Sequence, residues 1–140
     1  ASGVGCFAPW AQLLVSTCDP NRPGTASDGI TTISAASAKT LYDHGYRYIG
    51  RYLAERGGTL DKEIKPGELA AIFAGGLRVF PISQYYGGER DYFTYTQGYT
   101  DALGANAAAV SFGFNTGTVI YFAVDYDATQ EEIEDYIVQI

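Results

Sequence analysis

The stretch Gly117-Thr-Val-Ile-Tyr-Phe-Ala-Val-Asp-Tyr-Asp127 decides how the rest of the chain is read. Its alternation predicts a strand over Val119 to Asp127 with two unlike faces. Ile120, Phe122, Val124 and Tyr126 share one face, suited to pack under helices, while Val119, Tyr121, Ala123, Asp125 and Asp127 share the other. The second face is apolar at its start and acidic at its end. In parallel βα folds the loops at the C-terminal ends of the strands form the open mouth, and functional groups collect there.

Working outward, strand-like and helix-like segments alternate, which is the pattern of parallel βα units. Upstream, Ser34 to His44 reads as a helix, with Ser34 as N-cap, Ala38, Leu41 and Tyr42 as its apolar positions and Gly45 as its stop. Tyr46 to Leu53 is the strand that follows. Tyr46, Tyr48, Gly50 and Tyr52 share one of its faces; Arg47, Ile49, Arg51 and Leu53 share the other. The next helix begins near Pro66 and ends at Gly75-Gly76, with Leu69, Ile72 and Phe73 as its buried stripe. Leu77 to Gln84 is a further strand, although Pro81 within it removes a ladder donor and points to an edge or a bulge. A long alanine-rich helix from about Thr94 to Phe112 closes at Gly113, and its Gly98 and Gly104 suggest close packing. Beyond Asp127, Thr129 and Glu132 form a capping box that opens a last helix.

The class of the chain is bounded by its composition. Its 140 residues are 46% hydrophobic and 18% charged, which fits one globular domain with a real core. A net charge of −7 sets up a repulsive average field for polyanions and argues against nucleic acid as a partner. The longest unbroken apolar run, Val119 to Val124, falls far short of the ~20 residues that cross a bilayer as a helix. Methionine is absent even at position 1, which suggests either a processed chain, with a removed export signal, or an excised piece of a longer one. Cys6 and Cys18 could close a small loop in an oxidising compartment or remain free thiols. They make a poor zinc site, because the single histidine, His44, lies far downstream. No Gly-rich phosphate loop follows a strand, so nothing calls for a nucleotide or another cofactor.

Three strand exits carry polar groups: Arg51 and Tyr52, Gln84 and Tyr85, and Asp125 and Asp127. Carboxylates at i and i+2 on one strand face have Cα atoms about 6 to 7 Å apart, close enough for each to raise the other's proton affinity. Glycosidic cleavage needs such a pair, one carboxyl to give a proton and another to stabilise positive charge on the sugar ring. An Asp-x-Asp after a strand can equally open a turn and cap the next helix. His44 reads as a helix-end residue favoured by the dipole, and Arg51 could instead bridge a neighbouring carboxylate.

Four stretches, in order, resemble the glycoside hydrolase-like domain of Gram-positive cell-wall proteins, long catalogued as a domain of unknown function. They are Thr40-Leu-Tyr-Asp-His-Gly-Tyr-Arg-Tyr-Ile-Gly-Arg-Tyr-Leu53, Ala74-Gly-Gly-Leu-Arg-Val-Phe-Pro-Ile-Ser-Gln84, Tyr92-Phe-Thr-Tyr-Thr-Gln-Gly98 and Gly117 to Asp127. That family is similar to the lysozyme-like muramidases of glycoside hydrolase family 25, whose fourth strand ends in Asp-x-Glu. Here Asp125-Tyr126-Asp127 stands in that place, with the proton-donor Glu shortened to Asp127. The family also carries Gly-Phe-Asp on its first strand. A gapless extension upstream from Ser34 sets Asp28 at that aspartate, with Ala26-Ser27 in place of Gly-Phe. A rival alignment puts the first strand at Gly5-Cys-Phe-Ala-Pro9, which offers no aspartate.

The resemblance implies an α/β chain of (β/α) TIM-barrel type that supplies roughly the first four βα units. Residues 1–27 form an irregular lead-in, and residues 28–140 form the N-terminal half of the barrel. A full barrel needs about 250 residues, so the remainder is expected beyond Ile140. The implied activity is that of a secreted, cell-wall-associated glycoside hydrolase acting on a glycan such as peptidoglycan. Asp127 would be the acid, Asp125 the stabilising carboxylate and Asp28 a third mouth carboxylate, with Arg51, Tyr52, Gln84, Tyr85 and Tyr121 as substrate-binding residues. The rival is a glycan-binding module without turnover, which the Glu-to-Asp change favours.

Overall fold

The computed structural model describes residues 24–54, 60–85 and 88–137. Cys6, Cys18, the alternative first strand at Gly5 to Pro9 and most of the N-terminal lead-in lie outside these residues. Strands β1 (Ala26–Asp28), β2 (Tyr48–Tyr52), β3 (Arg78–Ser83) and β4 (Tyr121–Phe122) form one parallel sheet in the order β1-β2-β3-β4. Short right-handed βα connections place consecutive strands side by side in this way. The sheet curls into a half-barrel. Its register sets Asp28 beside Gly50, Gly50 beside Phe80, and Ile82 beside both Tyr52 and Tyr121.

Helices α1 (Ala35–Asp43), α2 (Glu68–Ala74), α3 (Tyr95–Ser111) and α4 (Gln130–Ile137) follow their strands, and a 3-10 turn at Arg90–Tyr92 precedes α3. Local chemistry fixes their starts. Ser34 and Thr94 accept backbone N–H bonds from Ser37 and Gln97, satisfying donors that a helix start leaves open. At α4 the capping box forms in both directions: Thr129 N donates to Glu132 Oε2 at 2.9 Å, and Glu132 N to Thr129 Oγ1 at 3.4 Å. Gly98 lets α4 press against α3, because a Cβ there would sit 2.4 Å from the Tyr136 carbonyl oxygen.

Apolar burial on the helix side comes in two clusters. Ala38, Ile49, Ile72 and Leu77 form one under α1 and α2; Leu53, Ile64, Ala105 and Ala109 form the other under α3, with Ile120 and Phe122 packed against it. Ile120 and Phe122 therefore face the helices, while Val119 and Tyr121 are exposed on the inner face. That is the phase the alternation requires.

Several boundaries differ from the sequence expectation. Ladder pairing defines β4 only at Tyr121–Phe122, shorter than Val119 to Asp127, although Ala123 N still donates to Ser83 O. Helix α2 starts at Glu68 behind a left-handed Gly67, so Pro66 lies in the turn before it. Phe73 is 53% exposed and leaves the buried stripe to Glu68 and Ile72. Pro81 sits inside β3 without breaking the β2 ladder. Arg78 N donates to Arg47 O on the β2 side, so alternation turns position 81 toward β4, whose pairing begins only at Ile82. No helix among the described residues is long and apolar enough to cross a membrane.

Candidate functional site

Each strand exit adds a polar side chain to the inner face. Asp28 ends β1, Tyr52 ends β2, Gln84 follows β3, and Asp125 follows β4. The Tyr52 hydroxyl donates to Asp28 Oδ2 at 3.4 Å. Burial pushes the Tyr52 phenol up, the Asp28 charge and hydrogen bond add to this, and Asp125 contributes a smaller push, while Arg51 opposes them. Tyr52 is therefore a protonated donor held in the field of two carboxylates. Gly50 makes the approach possible: a Cβ at that position would meet the Phe80 ring at 2.6 Å and the Asp28 Cβ at 2.7 Å.

One member of the cluster is not legible in the sequence. Lys62 is 9% exposed, its Nζ donates to Gln84 Oε1 at 3.2 Å, and it stands 4.8 Å above the centre of the Tyr52 ring. Its segment runs beside the end of β2, where Ile64 N donates to Tyr52 O and Glu63 bridges Tyr52. Lys62 belongs to an irregular connection with no periodicity. Only its chemistry, a cation in a loop at a strand exit, could have drawn notice.

Arg51 requires a correction. It points into the helix layer rather than the mouth, with its side chain fully buried and its Nε bonded to Glu68 Oε1 at 2.7 Å. Period-2 alternation already separates it from Tyr52. Burial would raise the Glu68 carboxyl, but bonds from Arg51 and from the Lys65 and Ile33 amides, with the Arg51 charge, hold it below the usual carboxylate range. Arg51 also donates to the Gly29 carbonyl, which ties the loop after β1 to β2.

A second polar group lies around Tyr136, whose phenol is pushed up by burial, then by the Asp101 hydrogen bond and charge, with smaller pushes from Tyr92 and Tyr85. There Asp101, 1% exposed, accepts from Tyr92 and Tyr136 at 2.8 Å each and from Gln97 at 2.8 Å. Phe93 packs tilted against Tyr126 and edge-on to Tyr136, so this group supports the segment that carries Asp125 and Asp127. Asp127 itself is exposed and makes no side-chain hydrogen bond or ion pair among the described residues. Helix capping falls to Thr129 instead. Tyr121 pairs with Ile82, level with Tyr52 across the sheet, and sits edge-on to Phe80 with ring centres 5.3 Å apart. Both rings line an apolar cavity of about 700 Å³ on the inner face, together with Tyr48 and Val119.

Residues 39–139 match the model of the Rv2525c-like, glycoside hydrolase-like domain. The chain belongs to this family. Two curated relatives from Bacillus subtilis (strain 168), both described as uncharacterized, are similar to it. FadG is 51% identical over 98% of this chain and 24% of its own length; YbfG is 45% identical over 90% and 18%. The chain thus spans about a quarter or less of the curated relatives it matches.

Solved structures share this fold. The Tat-secreted protein Rv2525c of Mycobacterium tuberculosis, crystallised with L-tartrate, aligns at a TM-score of 0.66 and 23% identity over 80% of this chain and 59% of that one. An uncharacterized Bacillus stearothermophilus protein aligns at 0.58 and 21% identity over 80% and 53%. Within the Rv2525c-like fold, the cluster of this chain offers fixed donors in Tyr52 and Lys62 and acceptors in Asp28 and Asp125. Such a set can bind polyhydroxylated rings and move protons at the mouth.

Proposed function

We propose that this domain is secreted and acts on a cell-wall glycan such as peptidoglycan by carboxylate acid/base chemistry at the C-terminal mouth of its strands. The observation that carries the reading is the Tyr52 hydroxyl bonded to Asp28 within the field of Asp125, three residues from three strand exits on one face. Asp125 stabilises positive charge developing on the sugar ring, and Asp127 donates the proton to the leaving oxygen. Asp127 is available for that role because Thr129 caps α4 in its place. Tyr52 and Gln84 line the cleft. The remaining βα units close the barrel, a reading supported by the 59% of the Rv2525c chain that this half-barrel covers. Export is supported by the Tat-secreted character of that neighbour.

The second reading is a glycan-binding module without turnover. It is favoured by Asp127 itself, whose side chain is one methylene shorter than the Glu of the muramidases it resembles. Incubating the full-length protein with purified peptidoglycan and separating the soluble products by mass spectrometry distinguishes the two. New glycan fragments support the hydrolase; retention on peptidoglycan without products supports the binding module; the absence of both products and retention overturns the glycan reading.

A further inference from the structure

From the contact between Lys62 and Gln84 we infer that Lys62 is a positioning residue, which fixes the Gln84 carboxamide so that its NH2 group faces the mouth as a donor to a sugar oxygen. The inference rests on the glycan reading for the identity of the acceptor, and on geometry for the rest. An ammonium has three donors and no acceptor, so the Gln84 atom 3.2 Å from Lys62 Nζ has to be the carbonyl oxygen Oε1. The amide nitrogen is then turned the other way. Without the lysine the two ends of the carboxamide are nearly equivalent in shape, and a half-buried glutamine could present either to a ligand.

Three observations make Lys62 fit to hold that orientation. It is 9% exposed, so its ammonium is shielded from competing water. Its backbone is anchored, because Ile64 N donates to Tyr52 O and the Ile64 side chain is buried against Leu53, Ala105 and Ala109. Its Nζ also stands over the Tyr52 ring, which joins the Gln84 orientation to the aromatic wall that carries the donor to Asp28. The site then discriminates by hydrogen-bond direction: Asp28 and Asp125 accept from sugar hydroxyls, and Gln84 donates to a sugar hydroxyl or acetamido oxygen.

Two measurements on the full-length protein test this. The first needs no glycan. The Gln84 side-chain amide signal in a ¹⁵N spectrum, assigned by its disappearance in Gln84→Glu, is expected to shift in Lys62→Met and to return near its original place in Lys62→Arg, which restores a donor. An unmoved signal in Lys62→Met overturns the inference. The second is binding to sonicated peptidoglycan fragments. Gln84→Glu keeps a partner for the lysine and the fold, but loses both N–H donors, and is expected to bind about ten-fold more weakly, the scale of one lost hydrogen bond. Lys62→Met is expected to weaken binding to a similar degree, with rescue in Lys62→Arg. Unchanged binding in Gln84→Glu overturns the donor role. A wild-type protein that binds no fragments, combined with the expected spectral shifts, overturns the glycan reading and leaves the positioning role standing.

Discussion

The Arg51 guanidinium and the Glu68 carboxylate meet at 2.7 Å behind the sheet with both side chains fully shielded from water. Glu68 also accepts from the Ile33 amide at 2.9 Å and the Lys65 amide at 2.8 Å, so one carboxylate ties β2, the start of α1 and the turn before α2 together. Removing one member of a buried pair strands the other charge. Arg51→Met is therefore expected to cost about 3–5 kcal/mol of stability, measured by urea unfolding. A loss under about 1 kcal/mol would show the pair to be a surface-like contact.

The same carboxylate sets an acid limit. Its folded pKa lies below its unfolded value, so its contribution to stability is full above the unfolded carboxylate range and is lost as pH falls through the lower folded value. Unfolding midpoints measured between pH 7 and pH 3 are expected to fall at the acid end, and the Glu68→Gln variant to fall less steeply. Parallel curves for the two proteins would remove Glu68 from the acid response.

Tyr52 titrates in the opposite sense. Its phenol is pushed up, so the protonated form is favoured in the fold and the Asp28 bond persists through neutral and mildly alkaline pH. Difference absorbance of wild type minus Tyr52→Phe is expected to place this ionisation above that of an ordinary tyrosine at about 10. An ionisation at or below that value would contradict the field assigned to Asp28 and Asp125.

Gly50→Ala tests the packing beneath the cluster. The new methyl meets the Phe80 ring and the Asp28 Cβ at under 3 Å, so the rigid ladder has to give. Overpacking of this kind costs about 1–3 kcal/mol. The expected signature is a lower melting temperature together with weaker glycan binding, because Asp28 moves. Normal binding and stability would mean that the strand relaxes without disturbing Asp28.

The sequence carried much of this arrangement, and physical chemistry explains where it stopped. Period-2 alternation set the phase of the fourth strand, and cap chemistry at Ser34 and Thr129 placed two helix starts. The same alternation placed Arg51 opposite Tyr52, yet grouping residues by strand exit set Arg51 in the mouth, when its partner was a glutamate at the start of a helix. Phe73 misled because α2 is short, and its buried face is set by Glu68 and Ile72 rather than by hydrophobicity alone. Lys62 and the Asp101 group were invisible to pattern. Both depend on loops and helix crossings that bring distant side chains together, and no local period encodes those.

Product release from peptidoglycan by the full-length protein, compared with its Asp125→Asn variant, tests the central claim most directly. Asp125 is exposed and makes no hydrogen bond or ion pair among the described residues, so the variant is expected to melt at the wild-type temperature. The account predicts soluble glycan fragments from the wild type and a fall in their rate of release of about 10²–10⁴ in Asp125→Asn, with fragment affinity largely kept. Equal release by the two proteins, or binding by the wild type without any release, would contradict carboxylate catalysis at this mouth.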